Sequence, residues 1–348
     1  MKKLNVMVLF GGCSSEYGVS LESVSSVLRH LDREKYEVVT VGITQSGKWL
    51  HYSGSVDAIE NDTWQRKNCV PAVLLPDRER HALLLLKESG LETVDIDVAL
   101  PILHGKNGED GTVQGLLALA GIPLAGCGVL SSALCMDKDR AHRLAQDAGV
   151  RVPKALVLER AFRRETLLGF AGEIGYPLFV KPVKAGSSYG VTKVERQAEL
   201  EAAVKLAFEY DDQVIVEENI EGFEVGCAVL GNEELFTGAV DEIELSGGFF
   251  DFTEKYTLKT SAIHVPARIT PGKALEVQET AKVIYRALGC RGFARVDMFL
   301  TPEGEILFNE VNTIPGFTAH SRYPGMMRAV GIEFPELLDK ILALAVEA

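Results

Sequence analysis

Apolar positions along the first 120 residues follow two alternating periods. The run "NVMVLF" is continuously apolar, a pair of glycines follows, and from Val19 to Leu31 the apolar residues return at helical spacing. A second strand-like run, "YEVVTVGIT", comes next, so the opening reads as a βαβ unit. Later "DVALPIL" predicts a strand, "HGKNGEDG" a polar loop, and Thr112 to Ala120 an apolar helix that completes a parallel-sheet unit near "GIPLAG". The expectation is an α/β chain whose first domain, residues 1–121, is Rossmann-like, with a doubly wound parallel sheet.

Beyond it a helix is expected from Asp137 to Gly149, and Pro153 in "VRVPKALVL" suggests a boundary. The central unit, 122–218, holds "YPLFVKP", the small-residue loop "VKAGSSYGV", a helix from Gln197 to Phe208 and the strand "QVIVEE". The last unit, 219–348, has strands "VGCAVLG", "LFTGAVDEIEL", "GFARVDMFL" and "EILFNEVN", with a helix from Lys273 to Leu288. Gly248 to Ser261 is a polar and aromatic stretch long enough to be a lid.

Composition narrows the class. At 348 residues, 47% apolar and 24% charged, the chain is long enough for two or three domains with a large core. Its net charge of -13 argues against a nucleic-acid partner, which needs a basic face. Six cysteines lie scattered without CxxC spacing, so free thiols in a reducing, cytoplasmic compartment are expected. The run Val6 to Phe10 is too short for a signal peptide core or a membrane span and reads as a buried strand.

Candidate chemistry sits where polar side chains interrupt apolar strands. Lys181 ends the strand "LFVKP", where an unpaired cation would be costly unless a phosphate or carboxylate meets it. The neighbouring "KAGSSYG" has the small residues and hydroxyls of a phosphate-covering loop, although a plain hairpin would look the same, and it lacks the GxxxxGK[ST] spacing. Glu217, Glu218, Glu221 and Glu224 in "VIVEENIEGFE" suit nucleoside hydroxyls or a solvated acidic turn.

The strands "ARVDMFL" and "ILFNEVN" are joined by the tight "TPEGE" turn, so they are expected to pair as a hairpin. If the register sets Asp297 opposite Glu310, a hard-oxygen cage for magnesium results, completed by Asn312. Glu16, in "FGGCSSEYGVS", could hold a small cation such as a substrate ammonium, and His104 also stands at a strand end. Gly11-Gly12 does not continue as GxGxxG, which weakens a nicotinamide reading.

Taken together, "FGGCSSEYGVS", "LHGKNGEDGTVQG", "GIPLAGCGVLSSALCMDK", "FVKPVKAGSSYGV", "EGFEVGCAVLG", "EKYTLK", "GFARVDMF" and "FNEVNTIPGFTAHSRYP" resemble, in order, the D-alanine-D-alanine ligase family of ATP-grasp enzymes. The resemblance implies an ATP-grasp fold and ATP-driven joining of D-alanine to a second D-amino acid through an acyl phosphate. It implies magnesium, as two ions with manganese able to substitute, and a homodimer.

By the same resemblance Glu16 holds the first ammonium with His104 near the carboxylate; Lys138, Lys181 and Lys255 meet the ATP phosphates, with Ser187 and Ser188 in the covering loop. Glu217 and Glu224 meet adenine and ribose. Asp297, Glu310 and Asn312 ligate magnesium, and Arg295 with the Gly316 N–H stabilises the oxyanion. Ser187 and Tyr256 latch the lid with Glu16.

The resemblance also implies an amine rather than a hydroxy-acid nucleophile, because the pair Lys255-Tyr256 is lacking in the D-alanyl-D-lactate ligases of the family. "EYGVSLES", "SSALCMDKDRAH" and "SRYP" are similar to the vancomycin-resistance branch, particularly its D-alanyl-D-serine ligases. Asp241, Phe250, Ser321 and Arg322 are then expected around the second amino acid. A housekeeping D-alanine-D-alanine ligase and another ATP-grasp carboxylate-amine ligase are the alternatives.

Overall fold

The computed structural model describes residues 3–186, 189–245, 261–318 and 320–347. Its first unit begins with β1 (Leu4–Gly11), α1 (Tyr17–His30) and β2 (Tyr36–Ile43), the elements the apolar periods predict. The chain then makes β3 (Trp49–Tyr52), the short α2 (Val56–Glu60), β4 (Cys69–Leu74), β5 (Ala82–Lys87) and β6 (Gly90–Asp95). It returns through β7 (Val98–Leu103) to α3 (Thr112–Ala120).

The strand order is β6-β5-β4-β3-β2-β1-β7, and only β1 with its neighbours β2 and β7 runs parallel. The parallel part of the sheet is thus three strands, extended by an antiparallel meander. Periodicity hides the meander because β6 is exposed along most of its length and β4 is exposed or half-buried at four of its six positions. Val6 to Phe10 are fully buried since helices cover both faces of β1. Val24, Val27 and Leu28 of α1 join Val6, Val8 and Phe10 on one face, while Leu117 and Ala120 of α3 join Met7 and Leu9 on the other. Each such large side chain contributes about 1.5–3 kcal/mol on leaving water, which holds β1 at the sheet centre.

Two helices follow, α4 (Val129–Met136) and α5 (Lys138–Asp147). Asp137 caps α5 by accepting from the Arg140 N–H at 3.0 Å, which puts Lys138 at the first helical position. The central sheet is antiparallel, built from β8 (Ala155–Glu159), β9 (Leu178–Pro182), β10 (Thr192–Val194) and β11 (Gln213–Glu218) in the order β10-β9-β11-β8. Helices α6 (Arg164–Ile174) and α7 (Gln197–Ala207) pack on it through Leu167, Ala171, Leu200 and Val204.

The third sheet has the order β14-β13-β12-β15-β16 and is antiparallel. Its strands are β12 (Phe223–Leu230), β13 (Phe236–Leu245), β14 (Ser261–His264), β15 (Phe293–Leu300) and β16 (Ile306–Asn312). Helix α8 (Pro271–Ala287) starts at Thr270, whose hydroxyl accepts from Lys273 N–H, with proline in the first turn. Helices α9 (Arg322–Arg328) and α10 (Phe334–Val346) end the chain.

The apolar clusters cross the boundaries expected at 121 and 218. Leu337, Leu338 and Ile341 of α10, with Phe317 and Tyr323, pack into the core beneath α1 and β1. Cys135, Ala141 and Ala145 of α4 and α5 pack with the third sheet through Val296, Phe308 and Val311. The first and last segments are therefore cemented together, and a cleft forms where their loops meet. Among the described residues no helix is long and apolar enough to cross a membrane.

Candidate active site

The hairpin of β15 and β16 pairs Asp297 with Glu310 and Arg295 with Asn312, the register the "TPEGE" turn suggested. A bulge leaves Asn309 without a facing partner, because Glu310 opposes Asp297 while Phe308 opposes Met298. The Asn309 carbonyl instead lies 2.8 Å from His142 Nε2 on α5.

Arg295, Glu310, Asn312 and Gly316 line one cleft of about 300 Å³ together with Glu16, His104, Lys138, Ser321 and Arg322. Nine residues singled out from sequence thus converge from three separate regions of the chain. Glu16 is 8% exposed. Its carboxylate occupies space that only glycine leaves free: a Cβ at Gly105, where φ is +70°, would stand 2.3 Å from Oε2, and one at Gly186 would stand 3.1 Å away. The small-residue loop "KAGSSYG" therefore reaches the cleft at Gly186. Lys138 Nζ donates to the Ala185 carbonyl at 2.8 Å and stands 3.9 Å from Glu310.

Five other candidates lie behind the cleft wall or outside it. Lys181 and Glu217 pair at 2.6 Å on the central sheet. Burial works against the Glu217 charge, yet Lys181, His142 and Lys138 hold its carboxyl below the usual range. Its Oε1 and His142 Nδ1, 3.8 Å apart, have no hydrogen-bond partner among the described residues. Asp297 is 1% exposed and accepts from Arg295 Nε at 2.8 Å, Arg295 Nη2 at 2.7 Å and Asn312 Nδ2 at 2.9 Å.

Asp241 is fully buried behind Arg322 and holds its guanidinium. Arg322 donates to both Asp241 oxygens at 2.7 and 2.9 Å and to Glu224 at 2.9 Å, and stands 3.2 Å from Asp297. Burial opposes the Arg322 charge, but Asp241, Asp297 and Glu224 keep it protonated. A Cβ at Gly226 would stand 2.4 Å from Arg322 Nη2, so this clamp closes only over glycine. Ser187, Ser188, Phe250, Lys255 and Tyr256 lie outside the described residues, as does nearly all of the expected lid.

Two carboxylates and an amide on one face of the hairpin make a hard-oxygen set that fits a magnesium ion. Among the described residues no group of three or more His, Cys, Asp or Glu forms a cage, so ligand oxygens would have to complete such a shell.

His104 is 5% exposed, with Nε2 3.3 Å from Ser23 Oγ. Burial, with some help from Arg295, pushes its pKa down to about 4 from an ordinary 6.5. An unfolded chain binds this proton near pH 6.5 and the folded chain only near 4, so the stability from the neutral ring is present above 6.5 and is lost as pH falls toward 4. His104→Gln is expected to flatten part of that acid-side loss, read by urea unfolding near neutrality and at about pH 5. Parallel profiles for the two proteins would contradict it.

Sequence reasoning missed Glu109 and Ser23, which also line the cleft. Glu109 was visible as the acid of "NGEDG", and Ser23 carried no signal, being a small polar residue within a helix.

Comparison with known proteins places these features. Residues 5–127 match the family described as "D-ala D-ala ligase N-terminus" and residues 144–343 match "D-ala D-ala ligase C-terminus". The chain is 46% identical to the vancomycin B-type resistance protein VanB of Enterococcus faecalis, with all of both chains covered. It is 47% identical to a putative D-alanine--D-lactate ligase of Streptomyces coelicolor, over 99% of this chain and 98% of that one. Among solved structures, the VanG D-Ala:D-Ser ligase from Enterococcus faecalis superposes with a TM-score of 0.92 and 54% identity, over 99% of this chain and 100% of that chain.

Proposed function

This chain belongs to the D-alanine-D-alanine ligase family, and from that premise we propose that it joins D-alanine to D-serine to make a dipeptide for peptidoglycan precursors. Ligases of this family consume ATP and use a divalent metal. In the first step the D-alanine carboxylate attacks the γ-phosphorus, the bond to ADP breaks and an acyl phosphate forms. The amine of the second amino acid then attacks the carbonyl carbon, loses a proton and expels phosphate.

Lys138, Lys181 and Lys255 would neutralise the phosphates, and Glu217 with Glu224 would meet the adenine and ribose. Glu224 also holds Arg322, which gives it a second task. Glu16 would hold the first ammonium, with His104 neutral beside its carboxylate. Arg295 and the Gly316 N–H would meet the oxyanion, and Ser187 and Tyr256 would latch the lid. Asp297, Glu310 and Asn312 would hold magnesium, with Asn312 turning its amide oxygen inward. When bound, magnesium, as one or two ions or with manganese in its place, supplies positive charge to offset that developing on the phosphoryl oxygens.

The observation that carries the serine reading is Arg322: the residue lines the cleft while Asp241 and Glu224 fix the orientation of its guanidinium. A hydroxyl hydrogen-bonded to a charged group gains about 1.5–3 kcal/mol, roughly tenfold to a hundredfold in selectivity over a methyl group. Phe250 and Ser321 would bound the same pocket. With ATP, magnesium and mixed D-alanine, D-serine and D-lactate, mass spectrometry is expected to find D-alanyl-D-serine as the main product. A much higher kcat/KM for D-alanine as second substrate would overturn the serine reading and leave a housekeeping D-alanine-D-alanine ligase.

A further inference from the structure

Glu109 lines the cleft but has no part in the chemistry above. It sits in the loop between β7 and α3, and its carboxylate bridges two backbone groups far apart in the chain. Oε2 accepts from the Gly105 N–H at 2.9 Å, and Oε1 accepts from the Ile314 N–H at 3.0 Å. Gly105 follows His104 and packs against Glu16, whereas Ile314 precedes Pro315-Gly316. On the far side of Gly316, the Phe317 N–H donates to Ser23 Oγ at 3.3 Å. The segment carrying Gly316 is therefore held at both ends by side chains of the N-terminal unit, with Pro315 restricting the backbone between them.

We propose that Glu109 is a positioning residue that ties the Gly316 backbone to the loop of His104 and Glu16, so that the oxyanion donor and the first amino acid are held in one frame. This rests on the ligation chemistry proposed above, in particular on Gly316 as oxyanion donor. Burial, then the charges of Glu16 and Glu310, raise the Glu109 carboxyl to about 8. Both oxygens keep a lone pair when the group is protonated, so the bridge holds in either state. Glu109→Gln replaces one acceptor oxygen with an NH2 that cannot accept, and so releases one of the two grips.

The loss should fall on the second chemical step, where the tetrahedral oxyanion forms, and not on acyl phosphate formation. A misplacement of about 1 Å costs as much as a hundredfold, so freeing one grip is expected to cost about tenfold in kcat, with KM for ATP and D-alanine within about twofold. The telling measurement is positional isotope exchange in labelled ATP, which reports reversible acyl phosphate formation, taken relative to dipeptide release. For Glu109→Gln this ratio is expected to rise about tenfold. Because it is a ratio within the active fraction, partial misfolding cancels. An unchanged ratio, with exchange and turnover falling together or both unaffected, overturns the proposal. A wild type without D-alanine-dependent exchange would instead overturn the acyl phosphate reading on which it rests.

Discussion

Arg322→Met is expected to lower the unfolding free energy by about 3–5 kcal/mol, the cost of leaving buried carboxylates without their cation. The Arg322 side chain is 9% exposed and that of its main partner Asp241 is 0% exposed, so the pair has little water to fall back on. Glu224 and Asp297 crowd the same point, and Asp297 keeps a second cation, Arg295. Asp241 also accepts from the Gly226 N–H at 2.9 Å, one bond that the variant retains.

Arg322→Lys keeps the charge but loses the two-pronged grip on Asp241, and should lie between wild type and methionine. Adding Asp241→Asn to Arg322→Met removes one stranded charge and should recover part of the loss, giving a coupling energy of at least about 1 kcal/mol in a double-mutant cycle. Urea unfolding measures all four proteins. A methionine variant within about 0.5 kcal/mol of wild type would mean that the buried clamp contributes nothing net.

Glu310→Gln is expected to lower kcat/KM by about a hundredfold or more at limiting magnesium. Changing groups that merely support a metal ligand typically costs about 10–100-fold, and removing a ligand's charge should cost at least as much. Part of the defect should be recovered at saturating magnesium if Glu310 binds the ion. The fold should survive, since Glu310 is on the cleft wall with a side chain 23% exposed, and its ion pair with Lys138 is long at 3.9 Å. Steady-state ligation against magnesium concentration decides the matter: near-normal activity at low magnesium would remove Glu310 from the metal site.

The legibility of these two sites differs for a physical reason. Asp297 and Glu310 could be paired from sequence because a tight turn and a period of two set a hairpin's register, and the structure bears that register out. The same local rule missed the bulge at Asn309, because one extra residue leaves the apolar pattern on either side intact. Within the meander, β6 was missed because a strand exposed along most of its length loses the alternation that reveals a strand. In contrast, β1 and β7 were legible, being buried along nearly their whole length so that their apolar runs are uninterrupted.

Sequence by itself determined the family, the order of the main elements, the register of the β15–β16 hairpin and nine of the residues that line the cleft, since each is written in local periodicity or in short ordered motifs. Tertiary structure decided which charge meets which. Arg322 finds Glu224 and Asp241 from 98 and 81 positions away, and Glu109 finds the Ile314 N–H across 205. It also put α10 under the first sheet. Local patterns record only whether a residue prefers burial or water; which buried carboxylate takes a guanidinium, or which glycine leaves it room, follows from the packing of segments remote in the chain.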